Sequence, residues 1–230
     1  MAAPTWQNAS GVITQPSALT FLSSATVSNT STASVTFQST DSVDVNNWGF
    51  YQHLVMFAQF NAIGATQASA WTFVLNDDDA SSNDWQTAEN CRYSWEWTGS
   101  GGGSSYAGGD WSNGAAKGTM GEHYTCPYST DTDSFQRVTF YDINTTSMKS
   151  CHTIGGVFNA GVGHGGMCWG TKNLTTHNAT NQDGIWGSFG SPPITKITMT
   201  IVEDTSGTAR NFSQYSRFDL YGMFWNMEAE

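Results

Sequence analysis

Apolar side chains recur at every second position of Ile197-Thr198-Met199-Thr200-Ile201, and further on Phe218 and Leu220 alternate with Asp219 and Tyr221. A period of two puts Ile197, Met199 and Ile201 on one face of an extended strand, and Phe218 with Leu220 on one face of another; a helix would scatter both sets. The Gly-containing stretch between them predicts a hairpin-type connection, with the two runs forming a strand pair that closes one edge of a core. Burying one such side chain contributes roughly 1.5–3 kcal/mol.

The same period runs through most of the chain. Residues 19–27 and 31–38 are rich in Ser, Thr and β-branched residues, and the polar Ser28-Asn29-Thr30 between them predicts a second hairpin. Over residues 48–61, Phe50, Leu54, Met56 and Phe60 fall on one face while Tyr51, Val55 and Phe57 fall on the other. A strand apolar on both faces is expected to be central and covered on both sides. Further strands are expected at 71–75, 93–97, 135–143, 148–158, 166–173 and 185–189, with Gly155-Gly156 marking a bulge or a close backbone approach.

No window carries a helical stripe. About ten short strands between polar turns predict an all-β, two-sheet sandwich of jelly-roll type, because one open sheet would leave an apolar face wet. Residues 1–18, with Pro4 and Pro16, are expected to form an extended arm, and residues 19–230 a single domain. Within it, residues 98–127 are expected to be a long irregular loop that opens on Gly- and Ser-rich sequence and carries Tyr106, Trp111, His123 and Tyr124.

Only 12% of residues are charged, and 8 basic side chains stand against 19 acidic ones, a net charge of −11. The surface is therefore polar but mostly uncharged, and a phosphate backbone is repelled, so no nucleic-acid partner is expected. No run reaches the length of a membrane-spanning helix, and Met1-Ala2-Ala3-Pro4-Thr5-Trp6 has neither the basic flank nor the apolar core of a signal peptide. No membrane partner is expected. The four cysteines contain no CxxC pair and are expected to be reduced.

Several constellations invite chemistry. Asp77, Asp78 and Asp79, with Asp84 nearby, form the densest acidic cluster and the candidate for Ca²⁺, but the spacing matches no EF-hand loop and a solvated turn is the preferred reading. Cys151-His152, His164 and Cys168 contain zinc-ligand types; buried thiols and loop histidines are the simpler account. Asp110, Glu122, Asp131 and Asp133 supply carboxylates without a glycosidase motif, and there is no Gly-x-Ser-x-Gly elbow. No enzyme activity, metal or cofactor is expected. Trp6, Tyr106, Trp111 and Tyr124 are the candidates for touching a protein partner or a glycan, since aromatic rings suit both.

The order Tyr51-Gln52-His53-Leu54, Phe60-Asn61, Trp71, then Ile194, Ile197, Gly207, Asn211-Phe212, Ser216-Arg217 and Leu220-Tyr221-Gly222 resembles a widespread family of tailed-bacteriophage virion proteins. Gln214-Tyr215 departs from that pattern where a Gly is usual, so the turn there must take another geometry or a strained one. The resemblance implies a β-sandwich structural module that is assembled in the host cytoplasm and carried in the virion. Its partners would be other copies of itself in a threefold ring, together with the major capsid protein or tail proteins. Capsid decoration is the foremost expectation. A tail fibre or receptor-binding component contacting a host glycan is the alternative, and a free carbohydrate-binding module a third. Gly222 is expected to let the chain turn before Met223-Phe224-Trp225.

Overall fold

The computed structural model describes residues 19–63, 69–77, 91–98, 104–111, 120–126, 133–146, 149–159, 162–172, 192–203 and 209–224. The expected arm at 1–18 and the expected strand at 185–189 lie outside them. Within them the chain is nearly all β, and the one helical turn is a 3-10 turn at Trp48–Phe50. The strands are β1 (Leu19–Thr26), β2 (Ser34–Gln38), β3 (His53–Phe60), β4 (Ser69–Leu75), β5 (Cys91–Thr98), β6 (Ser104–Trp111) and β7 (Met120–Cys126). There follow β8 (Asp133–Tyr141), β9 (Lys149–Asn159), β10 (Val162–Lys172), β11 (Lys196–Glu203), β12 (Ala209–Arg210) and β13 (Arg217–Met223).

They form two antiparallel sheets. The larger runs β1-β13-β3-β8-β9-β10-β5-β6, and the smaller runs β12-β11-β4-β7 with β2 also paired to β11. Alternation dictates the packing between them. Leu54, Met56, Phe140, Phe218 and Leu220 point inward from the large sheet, Phe73, Leu75, Ile197, Met199 and Ile201 from the small one, and all are fully buried. Phe73 meets Phe140 edge-on with ring centroids 5.3 Å apart. One apolar core is thus shared by both layers, as in a β-sandwich.

Neither expected strand pair forms: β11 and β13 lie in different sheets, as do β1 and β2. The chain does turn back on β11, but to pair with the two-residue β12, and it crosses between layers through arches at 27–33 and 211–216. The apolar residues of the C-terminal runs do close the core, but from opposite sides. The arches bind one another at one end of the sandwich. Val27 N donates to Ser216 O and Tyr215 N to Val27 O, both at 2.8 Å, while Phe212 N donates to Thr32 O at 2.8 Å. The segment leaving β3 joins them through Ser213 N to Asn61 O at 2.8 Å and Ile63 N to Asn211 O at 2.9 Å. Beneath, Phe60, Phe212 and Phe218 contact one another with centroids 5.1–5.9 Å apart. Tyr215 takes a left-handed conformation, φ 73°, in the turn that precedes β13.

At the opposite end the connections at 39–52, 142–146 and 192–195 are also tied together. Asn144 Nδ2 donates to Trp48 O at 2.9 Å and Tyr51 O at 2.7 Å, Ile143 N to Gln52 O at 2.9 Å, and Ile194 N to Ile143 O at 2.9 Å. Asn76, at φ 53°, accepts the N–H groups of Thr195 and Lys196 on Oδ1 and donates to Pro193 O. Asn tolerates this left-handed conformation better than a bulkier residue.

Gly222 is not at a turn. It lies inside β13 opposite Leu54, facing inward, and a Cβ there would stand 2.3 Å from the Tyr51 ring. The glycine makes room for a buried tyrosine. The Gly155-Gly156 pair resolves the same way: the β8–β9 and β9–β10 registers run through it unbroken, and a Cβ on Gly155 would meet Gln136 Oε1 at 2.1 Å and Phe135 O at 2.3 Å. It is a close approach, not a bulge. The expected irregular loop at 98–127 contains β6, paired to β5, and β7, paired to β4. Glycine and serine in Ser104–Trp111 lower strand propensity without preventing pairing at a sheet edge.

Candidate interaction surface

β3 is central, as its two apolar faces require, with β13 on one side and β8 on the other. Its inward side lies in the core. Its outward side carries His53, Val55, Phe57 and Gln59, and exposure rises along it from buried His53 and Val55 through half-buried Phe57 to exposed Gln59. The expected cover on both faces is therefore incomplete, and Phe57 heads an apolar surface that the register extends across five strands.

One transverse row reads Ser24, Asp219, Phe57, Arg137, Ile154 on β1, β13, β3, β8 and β9. The next row towards the Trp48 end reads Phe21, Tyr221, Val55, Thr139, His152 in the same strand order. Tyr221 joins the two rows, packing edge-on to Phe21 and to Phe57 with centroids 5.6 Å apart in each case. Phe21 remains 50% exposed, Phe135, opposite Gln59, 51% and Ile154 36%, so exposed apolar side chains stand on this face among the polar Ser24, Gln59 and Arg137. The contiguous part is the Phe21, Tyr221 and Phe57 aromatic row, and exposed apolar side chains gathered on one face are candidates for association. The Leu-Tyr-Gly ending thus has three separate jobs: Leu220 fills the core, Tyr221 builds the outer aromatic row, and Gly222 admits Tyr51.

Charge on this face is sparse and ordered. Asp219 accepts Ser24 Oγ at 2.6 Å and Arg217 Nε at 2.9 Å, so its carboxylate is fixed at the β13 side. Arg137 is exposed on β8, one strand beyond Phe57 on the other side. Burial, and secondarily the Arg137 charge, lower the pKa of His152. At the edge of the face His53 is buried; its Nδ1 accepts Asp142 N–H at 2.9 Å, and its ring meets Tyr141 edge-on at 5.4 Å. Burial lowers its pKa, and the Asp142 carboxylate opposes that less strongly.

Tyr106 and Trp111 lie on β6, the last strand of the large sheet, and Tyr124 lies on β7 of the small sheet, so the three do not share one strand or one sheet. Their side chains, like Trp6, Asp78 and Asp79, lie outside the described residues. Asp77, at φ 59°, is held by Lys196 Nζ at 2.8 Å, so the one described member of the acidic cluster is committed to an ion pair. The zinc set is dispersed. Cys151 is a buried thiol pointing inward and His152 points outward, while His164 and Cys168 stand four positions, about 13 Å, apart along β10. No group of three metal-ligand side chains comes together among the described residues. Asp110, Glu122 and Asp133 fall on three different strands, β6, β7 and β8.

Sequence reasoning missed the Phe57–Arg137 row, although its signal was present in the two-faced strand at 48–61. Behind β8 and β9, the inward face turns polar, with Ser134, Gln136, Thr153 and Lys149 all buried. Gln136 Nε2 donates to Ser134 Oγ at 2.8 Å, and Lys149 Nζ donates to Thr145 O. These bonds satisfy the Gln136 amide nitrogen and the Lys149 ammonium, which would be costly to bury alone; Thr153 Oγ1 is buried without a hydrogen-bond partner among the described residues, and the set does not form a cleft with opposed acid and base. A scan against protein-family models finds no matching family, and comparisons with curated proteins and with solved structures give no match.

Proposed function

We infer that the chain is a non-enzymatic structural protein of a tailed-bacteriophage particle, foremost an oligomeric decoration or cement module of jelly-roll type on the capsid. The observation that carries the reading is the outward aromatic surface around Phe57 on a broad sheet face, since a module bound repeatedly to identical neighbours needs such a surface more than it needs a cleft. Ile194, Ile197, Phe212, Ser216, Leu220 and Gly222 are all buried in the core or its closing arches, so the resemblance rests on positions that hold the sandwich together.

A second reading places the same module on the tail, where it touches a host surface glycan through loop and strand aromatics such as Tyr106 and Trp111 of β6. Labelling the protein on purified particles separates the two: label over the whole head supports decoration, label confined to the tail supports adsorption. Absence from purified particles would end both.

A further inference from the structure

The row Asp219, Phe57, Arg137 is its own complement. An acid stands one strand to one side of an aromatic ring and a base one strand to the other, each about 4.8 Å away across the sheet. A two-fold axis lying in the contact plane, parallel to the strands and over Phe57, carries β13 of one copy over β8 of another. Phe57 then faces Phe57 of the second copy, and each Arg137 faces the opposing Asp219. We propose that the outer face of the large sheet is a homodimer interface, with two copies packed face to face about Phe57. The proposal rests on reading this face as a contact surface, and it names a second copy of the chain as the occupant.

Three observations favour a second copy. First, Asp219 is ion-paired with Arg217 and bonded to Ser24 yet keeps 18% of its side chain accessible, so an incoming guanidinium would share a carboxylate already fixed in place. Second, Arg137 is exposed and, among the described residues, has no carboxylate paired to it, in a chain with 19 acidic and 8 basic side chains. Third, pairing edge to edge is disfavoured on the β1 side, where the register slips between Phe21 and Ser23 and interrupts the ladder a neighbouring strand would need. The contact is isologous, and it differs from the ring implied by the resemblance, where the two sides of each contact are different patches.

The size of the face sets the strength. Five strands about 4.8 Å apart and about 20 Å of strand length give a footprint of roughly 500 Å², below the ~800 Å² per partner of a standard stable interface. The dimer is therefore expected to be weak in free solution, with a dissociation constant on the order of 10–100 µM. Copies tethered side by side on a particle would meet at far higher effective concentration.

Sedimentation velocity from about 1 to about 200 µM tests it on the purified full chain. The expected result is a monomer–dimer equilibrium whose constant rises at least about tenfold in Arg137→Glu and in Phe57→Glu, while Ser34→Glu on the small sheet leaves it unchanged. Arg137 is exposed, so its variant keeps the fold even if the Phe57 variant does not, and melting curves verify this. A monomer at every concentration, a trimer, or a dimer indifferent to Arg137→Glu overturns the proposal. Particle labelling is independent: a dimer missing from particles refutes the virion reading alone, and a particle-bound monomer refutes this pairing alone.

Discussion

Replacing Gly222 by alanine adds one methyl group where the structure has no space for it. The new Cβ would lie 2.3 Å from Tyr51 Cδ1, 2.4 Å from Cγ and 2.6 Å from Cε1. Carbon atoms pack at about 3.5 Å, so the ring or the strand must give way by more than about 1 Å. Tyr51 cannot swing out freely, because it is 2% exposed, its hydroxyl donates to Val45 O at 3.0 Å, and its ring lies 4.7 Å from Phe224. Overpacking of this kind costs about 1–3 kcal/mol, and a displaced tyrosine hydrogen bond about 1 kcal/mol more. Alanine returns about 0.4–1 kcal/mol through the unfolded chain. The expected net loss is about 2 kcal/mol, or a melting temperature lower by about 4–8 °C in a chain of this length. Denaturant titration of Gly222→Ala in parent and Tyr51→Ala backgrounds separates contact from backbone. The φ of Gly222 lies outside the left-handed region, so with the ring gone the penalty should vanish, giving a coupling of about 2 kcal/mol. A penalty under about 0.5 kcal/mol in the parent, or an equal penalty in both backgrounds, refutes the reasoning.

Three further outcomes follow from the same geometry. His53 and His152 both have pKa values lowered from 6.5 by burial, so between the folded and unfolded values the unfolded chain binds more protons and stability falls as the pH drops below about 6.5. Urea melts at pH 7.5 and pH 5 should show this loss, reduced in His53→Gln, whereas equal or higher stability at pH 5 contradicts it. Tyr215→Gly relieves a left-handed residue that is 77% exposed and should raise stability by about 0.5–1 kcal/mol in thermal melts; a loss would mean the side chain holds the arch. Asn76→Ala leaves φ 53° without its side-chain bonds to Pro193, Thr195 and Lys196 and should cost about 2–3 kcal/mol; a change within about 0.5 kcal/mol would show that those bonds are dispensable.

The positions of the strands were largely legible in the sequence, because a period of two survives whichever sheet a strand joins. Sheet membership was not. Ile197, Met199 and Ile201 face the same core as Phe218 and Leu220 whether the runs pair side by side or face each other across it, so alternation alone favours the simpler hairpin. The better signal lay in the connectors: Val27 and Phe212 are apolar residues in polar turns, and both are buried where the arches meet. The glycines misled for a related reason. Gly222 and Gly155 suggest turns or bulges when the residue that needs the space, Tyr51 or Gln136, is distant in sequence. The candidate surface was half visible. The doubly apolar strand at 48–61 pointed to a covered central strand, and its outward side is covered only in part; Arg137 and Phe21 join that side only through the register of β8 and β1.

The central claim, a structural module of a phage particle, is tested most directly by counting its copies on purified virions through quantitative mass spectrometry, with antibody labelling to place them. A decoration protein should be present in many copies spread over the head, whereas a chain absent from particles would contradict the account.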